Sequence, residues 1–136
     1  AIIVISDGLN ARALKQQDQL EVLITELRKG ISDAGMQVAE QNILVESGRV
    51  RAGYKIGEQL FKTKQGPRNV FHIVGERPGT GHNTLSVYLT RADASVWATP
   101  NTVDHNITRV VSGIAHTALQ PEKAARDVMQ IHGALA

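Results

Sequence analysis

The sequence predicts an α/β fold: a Rossmann-like, mostly parallel sheet with helices on both faces. Three observations predict it. Short β-branched runs, Ile2–Ile5 and Val70–Val74, read as buried strands. Segments with apolar residues at helical spacing alternate with them. The strands empty into polar turns such as Ser6-Asp7-Gly8 and Gly75-Glu76-Arg77-Pro78-Gly79. Strand–helix alternation implies a parallel sheet layered by helices.

Each element has its own signal. Ile2-Ile-Val-Ile5 is a strand, and Ser6-Asp7-Gly8 is a turn with helix-capping residues. Leu20, Leu23, Ile24, Leu27 and Ile31 form a helical stripe that Gly35 stops. A second strand falls within Val38–Val45, centred on Asn42–Val45, and Ser47-Gly48-Arg49 turns after it. Arg51–Phe61 is a helix, with Ala52, Ile56, Leu60 and Phe61 on one face. Gln65-Gly66-Pro67-Arg68 is a loop before the third strand, Val70–Val74. Leu85–Thr90 reads as a fourth strand, and Arg91–Val103, with no clear period, as loop. Ile107, Thr108, Val110 and Val111 favour a strand, although with Ile114 and Ala118 they also fit a helical stripe. Pro121 suits the first position of a last helix, with Ala124, Ala125, Val128 and Met129 on its apolar side. The expected order is strand-helix-strand-helix-strand-strand-strand-helix, in a single domain over residues 1–136.

Composition narrows the function. With 136 residues, 42% hydrophobic and 21% charged, the chain can build one real core. No apolar run approaches the ~20 residues that span a bilayer. The first strand starts beside residue 1 without an initiator methionine, which reads as a fragment or a trimmed product. The absence of cysteine excludes disulfides, cysteine zinc sites and thiol catalysis, and fits a cytoplasmic location. The net charge is +2, the basic residues are scattered and aromatics are only 4%, so no nucleic-acid surface is expected.

Few residues carry a chemical signal. No Gly-x-Gly-x-x-Gly follows the first strand and no Gly-Lys-Ser/Thr occurs, which argues against dinucleotide and P-loop sites. Asp7-Gly8 could hold a phosphate at a helix start or simply cap it. The histidines, His72, His82, His105, His116 and His132, form no ligand-spaced pair, so no metal site is expected. His72, inside an apolar strand, reads better as a satisfied core or sheet-edge histidine than as a catalytic one. Asp104-His105 could be an acid/base pair, but adjacent residues on an extended segment face opposite ways. Glu76 stands where ligands bind α/β sheets, at the carboxyl end of a strand. Its carboxylate could accept hydrogen bonds from a large ligand, or merely pair with Arg77 or cap the chain. Gly48-Arg49-Val50 leaves a similar choice at a helix start.

Several segments together resemble the small (light) subunit of ethanolamine ammonia-lyase. They are Val4-Ile-Ser-Asp-Gly-Leu9, Ser47-Gly-Arg-Val50 with Ile56-Gly-Glu58, and Val74-Gly-Glu-Arg-Pro-Gly79 with Leu85-Ser86 and Tyr88. The resemblance covers nearly the whole chain and only the family's carboxyl-terminal domain; the family's amino-terminal segment has no counterpart. It implies an adenosylcobalamin enzyme that turns ethanolamine into acetaldehyde and ammonia by a radical route. It implies that the small subunit covers the cofactor, that a barrel-type large subunit holds the substrate, and that the two form a hetero-oligomer. No catalytic residue, nucleic acid or membrane is implied for this chain. The location implied is the cytoplasm, free or inside a bacterial microcompartment.

By matching motif, Val50 and Glu76 are implied cofactor contacts, with Arg49, Gly75, Arg77 and Gly79 in the same turns. No Asp-x-His-x-x-Gly motif offers a histidine to cobalt. The family's cofactor-touching cysteine is absent. Matching on Arg109-Val-Val-Ser-Gly-Ile114 puts Val110 in its place; matching on Asp104-His-Asn106 puts Ile107 there. An aliphatic residue could keep the packing against the corrin. The change also fits a lyase for another amino alcohol, or an interaction module that kept the fold without the cofactor.

Overall fold

The fold is seen in a computed structural model that describes residues 1–6, 19–45, 50–61, 64–76, 84–99, 101, 103, 107–115 and 118–134. In chain order its elements are β1 (Ile2–Ser6), α1 (Gln19–Asp33), β2 (Ile43–Val45), α2 (Val50–Phe61), β3 (Pro67–Gly75), β4 (Leu85–Asp93), α3 (Ala94–Trp97), β5 (Thr108–Ile114) and α4 (Pro121–Ala134). The strands make one five-stranded sheet in the order β2-β1-β3-β4-β5.

The sheet is mixed, which corrects the mostly parallel, Rossmann-like expectation. β1 pairs in parallel with β2 and β3, whereas β4 is antiparallel to both β3 and β5. Only β4 is reversed, so four of the five strands still point one way. The cause is the link from Glu76 to Thr84. It is shorter than the dozen or so residues a parallel crossover needs, so β4 must return alongside β3. The overall class remains α/β.

Both faces carry helices, as expected. On one face, Ile3, Ile5, Phe71, Ile73, Leu85, Val87 and Leu89 pack with Leu23, Leu27 and Ile31 of α1 and with Ala124, Ala125 and Val128 of α4. On the other, Ile2, Val4 and Val70 pack with Tyr54 and Phe61 of α2, Trp97 of α3, and Val103. The Phe61 and Trp97 rings meet edge to face, with centroids 5.4 Å apart.

Helix ends follow local chemistry. Gly35, at φ +83°, ends α1; its N–H reaches Ser32 O and the Met36 N–H reaches Ile31 O, a Schellman-type stop. Pro121 opens α4 as expected.

Two expectations hold only in part. In α2 the buried face is Gly53, Tyr54, Gly57 and Phe61, while Leu60 is 40% exposed. The helix packs through its glycines. A Cβ on Gly53 would stand 2.7 Å from His72 Nδ1, and one on Gly57 would overlap the Trp97 indole. Arg91–Val103 is also not simply loop. β4 runs on to Asp93, whose carboxylate accepts from the Ser95 N–H and hydroxyl and so caps α3. Those bonds, backbone first, hold the Asp93 carboxyl below its usual pKa.

Candidate functional site

The carboxyl ends of β1, β2, β3 and β5 and the start of β4 share one edge of the sheet. Glu76 is the first residue past β3 on that edge. Its N–H donates to Thr84 O at 2.9 Å, which carries the β3–β4 ladder one step beyond the Gly75–Leu85 pair. The backbone of Glu76 is therefore fixed, and its half-buried side chain leaves from a defined point.

That side chain is met by Tyr88. The Tyr88 hydroxyl donates to Glu76 Oε1 at 3.3 Å. Burial, the Glu76 charge, this hydrogen bond and the nearby Tyr54, in that order, push the Tyr88 hydroxyl above its usual pKa. The phenol thus keeps its proton at neutral pH and stays a donor. The second carboxylate oxygen of Glu76 has further acceptor capacity.

Alternation along the strands sets which side chains share the face. His72 pairs with Tyr88, and Tyr88 with Val110. Val4, His72, Tyr88 and Val110 therefore form one row across four strands. Val74 and Ser86 form the next row toward the carboxyl edge, and Glu76 stands beyond it. The Tyr88–Glu76 bridge crosses the Val74–Ser86 row, where both residues are buried. The Ser86 hydroxyl has no hydrogen-bond partner among the described residues. Val110 ends the row of four, 49% exposed.

Toward β1 these two rows are polar and closed. His72 Nε2 lies 2.8 Å from Ser6 Oγ, and both residues are buried. His72 is the buried sheet histidine that its apolar surroundings suggested, with Nε2 engaged by Ser6. With its Nε2 engaged, it does not present that atom to a ligand.

The predicted site residues fare unequally. Glu76 and Val110 come onto one face through Tyr88, and Gly75 supplies the last β3 pairing beneath Glu76. The backbone of Val50 opens α2 on that same face; its side chain lies outside the described residues. Arg49, Arg77 and Gly79 lie outside the described residues too, as do Asp7-Gly8, His82, Asp104-His105 and His116. Of the two candidates for the cysteine position, Val110 is half exposed beside Tyr88, while Ile107 is partly buried against the Ile2–Val4–Tyr54 cluster.

Residue-level reading missed the parts played by Tyr88, Tyr54 and Ser6. A signal was present: Ser86, Tyr88 and Thr90 alternate with Leu85, Val87 and Leu89, the mark of a strand with one polar face. A cleft of about 270 Å³ lies between α1 and α4 on the opposite face and contains none of these residues. Among the described residues no group of His, Asp and Glu could hold a metal ion, and no helix is long and apolar enough to cross a membrane.

Comparison with curated proteins gives no match. The family model described as ethanolamine ammonia-lyase light chain (EutC) matches residues 1–135, nearly the full length, and the chain therefore belongs to that family.

Proposed function

We propose that this chain is the small subunit of an adenosylcobalamin-dependent ethanolamine ammonia-lyase and covers the corrin at the interface with a catalytic large subunit. Membership of the light-chain family supports the lyase association and a large-subunit partner. The observation that carries the cofactor reading is the Glu76–Tyr88 bridge standing on the same sheet face as half-exposed Val110.

The residues suit such a ligand. A corrin has a rim of amide side chains and flat apolar faces. Glu76 offers a carboxylate acceptor to the amides, and Val110 offers an aliphatic contact. Val50, Arg49, Gly75, Arg77 and Gly79 complete the same turns in this reading. Engagement of His72 with Ser6 agrees with a cofactor that keeps its own base on cobalt. When bound, adenosylcobalamin supplies the radical chemistry that converts ethanolamine to acetaldehyde and ammonia. The chain's own groups bind, orient and cover; none acts as acid or base. In this reading residues 1–136 form one cofactor-covering domain, and the proposed location is the cytoplasm, free or within a microcompartment.

The test is to titrate adenosylcobalamin, followed by absorbance in the dark, into the chain alone, the large subunit alone and the co-purified pair. Tight binding by the pair only is expected. A pair that assembles yet leaves the corrinoid spectrum unchanged contradicts the proposal and favours an interaction module that kept only the fold.

A further inference from the structure

We infer that Tyr88 is the positioning residue of this site: it holds the Glu76 carboxylate at a set place over the sheet and fixes its spacing from Val110. The inference rests on the corrin-covering reading and goes one residue beyond it.

A glutamate just past a strand end has three side-chain torsions and many rotamers. Held as an acceptor for a rigid ligand, it must give up that freedom on binding. Tyr88 removes part of the cost beforehand. Its backbone is locked in the middle of β4, paired on one side with His72 and on the other with Val110. Its ring has two torsions, and its hydroxyl reaches Glu76 Oε1 at 3.3 Å. A phenol donor also suits a carboxylate that must stay ionised, because it neutralises no charge and leaves Oε2 free to accept.

The bridge has a second consequence. Between Tyr88 and Glu76 lies the row holding Val74 and Ser86, 4% and 0% exposed, with the Ser86 hydroxyl lacking a partner among the described residues. The bridge thus forms part of the surface on this side, and a ligand meets Glu76, Tyr88 and Val110 instead of the strand backbone. A single side chain then sets the distance between the polar contact and the apolar one.

The experiment is a double-mutant cycle on the co-purified small and large subunits, with Tyr88→Phe, Glu76→Ala and the double variant. Cyanocobalamin, which is bound but does not react, is titrated by absorbance, and thermal melts check that each variant stays folded. The wild-type pair is expected to bind, and Tyr88→Phe to bind about three- to tenfold more weakly, the size of one lost hydrogen bond. In the Glu76→Ala background the same change should have no further effect. A purely structural tyrosine would instead weaken binding by the same factor in both backgrounds. That result, or unchanged affinity in Tyr88→Phe, overturns the inference and leaves the corrin reading standing. A wild-type pair that assembles without binding cyanocobalamin overturns both.

Discussion

Ser6 and His72 share one buried hydrogen bond: Ser6 Oγ and His72 Nε2 stand 2.8 Å apart, joining the carboxyl end of β1 to the middle of β3. The bond is enclosed. Both residues are at most 2% exposed, and Gly53 of α2 brings its backbone directly onto the imidazole. It joins the row that carries Tyr88, through His72, to the Val74–Ser86 row, through Ser6, and so stiffens the sheet beside the proposed site.

Removing the hydroxyl should therefore be felt. Ser6→Ala takes away the Nε2 partner inside the core, where an unmade hydrogen bond costs about 1–3 kcal/mol. A lower urea midpoint with an unchanged slope is expected. A midpoint equal to wild type would show that the bond adds nothing to stability.

Gly57 tests how α2 packs. Alanine is a better helix former than glycine by about 1 kcal/mol, so propensity alone predicts a gain. The structure predicts a loss. A methyl group at Gly57 would come within 2.7 Å of Cε3 and Cη2 of Trp97, and nearer still to Cζ3. Trp97 is fully buried, meets Phe61 edge to face and donates its indole N–H to Arg68 O. Overpacking of this kind costs about 1–3 kcal/mol. Equilibrium unfolding of Gly57→Ala should show net destabilisation; a more stable variant would mean that α2 can move away from the indole.

The same helix shows what the sequence made legible and what it did not. Periodicity located α1, α2 and α4, and β-branched runs located β1, β3 and β5, because those signals are local. Counting apolar residues finds Ile56 and Phe61 of the inward face of α2 but wrongly adds Leu60 and omits the glycines. Gly53 and Gly57 are inside by virtue of having no side chain, and that shows only against His72 and Trp97. β4 was located, but its reversal follows from the short link between Glu76 and Thr84, not from its residues. Glu76 was legible as a strand-end carboxylate. Tyr88 was not legible as its partner, since the two meet only through the β3–β4 register. Asp93, which caps α3, was hidden in a stretch with no apolar period.

His132 gives a pH dependence with a defined sign. Its ring sits beside Phe71, and Arg91 Nη1 lies 3.2 Å from Nε2. A guanidinium can only donate, so Nε2 must be the acceptor of a neutral imidazole. Burial first, and then the Arg91 charge, hold the His132 pKa below its usual value. A base with a lowered folded pKa binds fewer protons folded than unfolded. Its contribution is therefore complete above the unfolded value, near 6.5, and is lost as the pH falls toward the folded one. Urea midpoints at pH 7.5 and 5.5 should drop further for wild type than for His132→Gln, which keeps an acceptor for Arg91 but does not titrate there. Equal drops would assign the acid sensitivity to other groups.

The central claim, that the Glu76 face covers a corrin, is tested most directly by the adenosylcobalamin affinity of Glu76→Ala co-purified with the large subunit. Assembly should be unchanged, because Glu76 lies past the end of β3 and its backbone bond to Thr84 does not need the side chain. A hydrogen bond to a charged group is worth about 1.5–3 kcal/mol, and each 1.4 kcal/mol is about tenfold in affinity. The expected result is a wild-type pair that binds and a variant whose dissociation constant rises about ten- to a hundredfold. A variant pair that assembles and binds as tightly as wild type would contradict the claim.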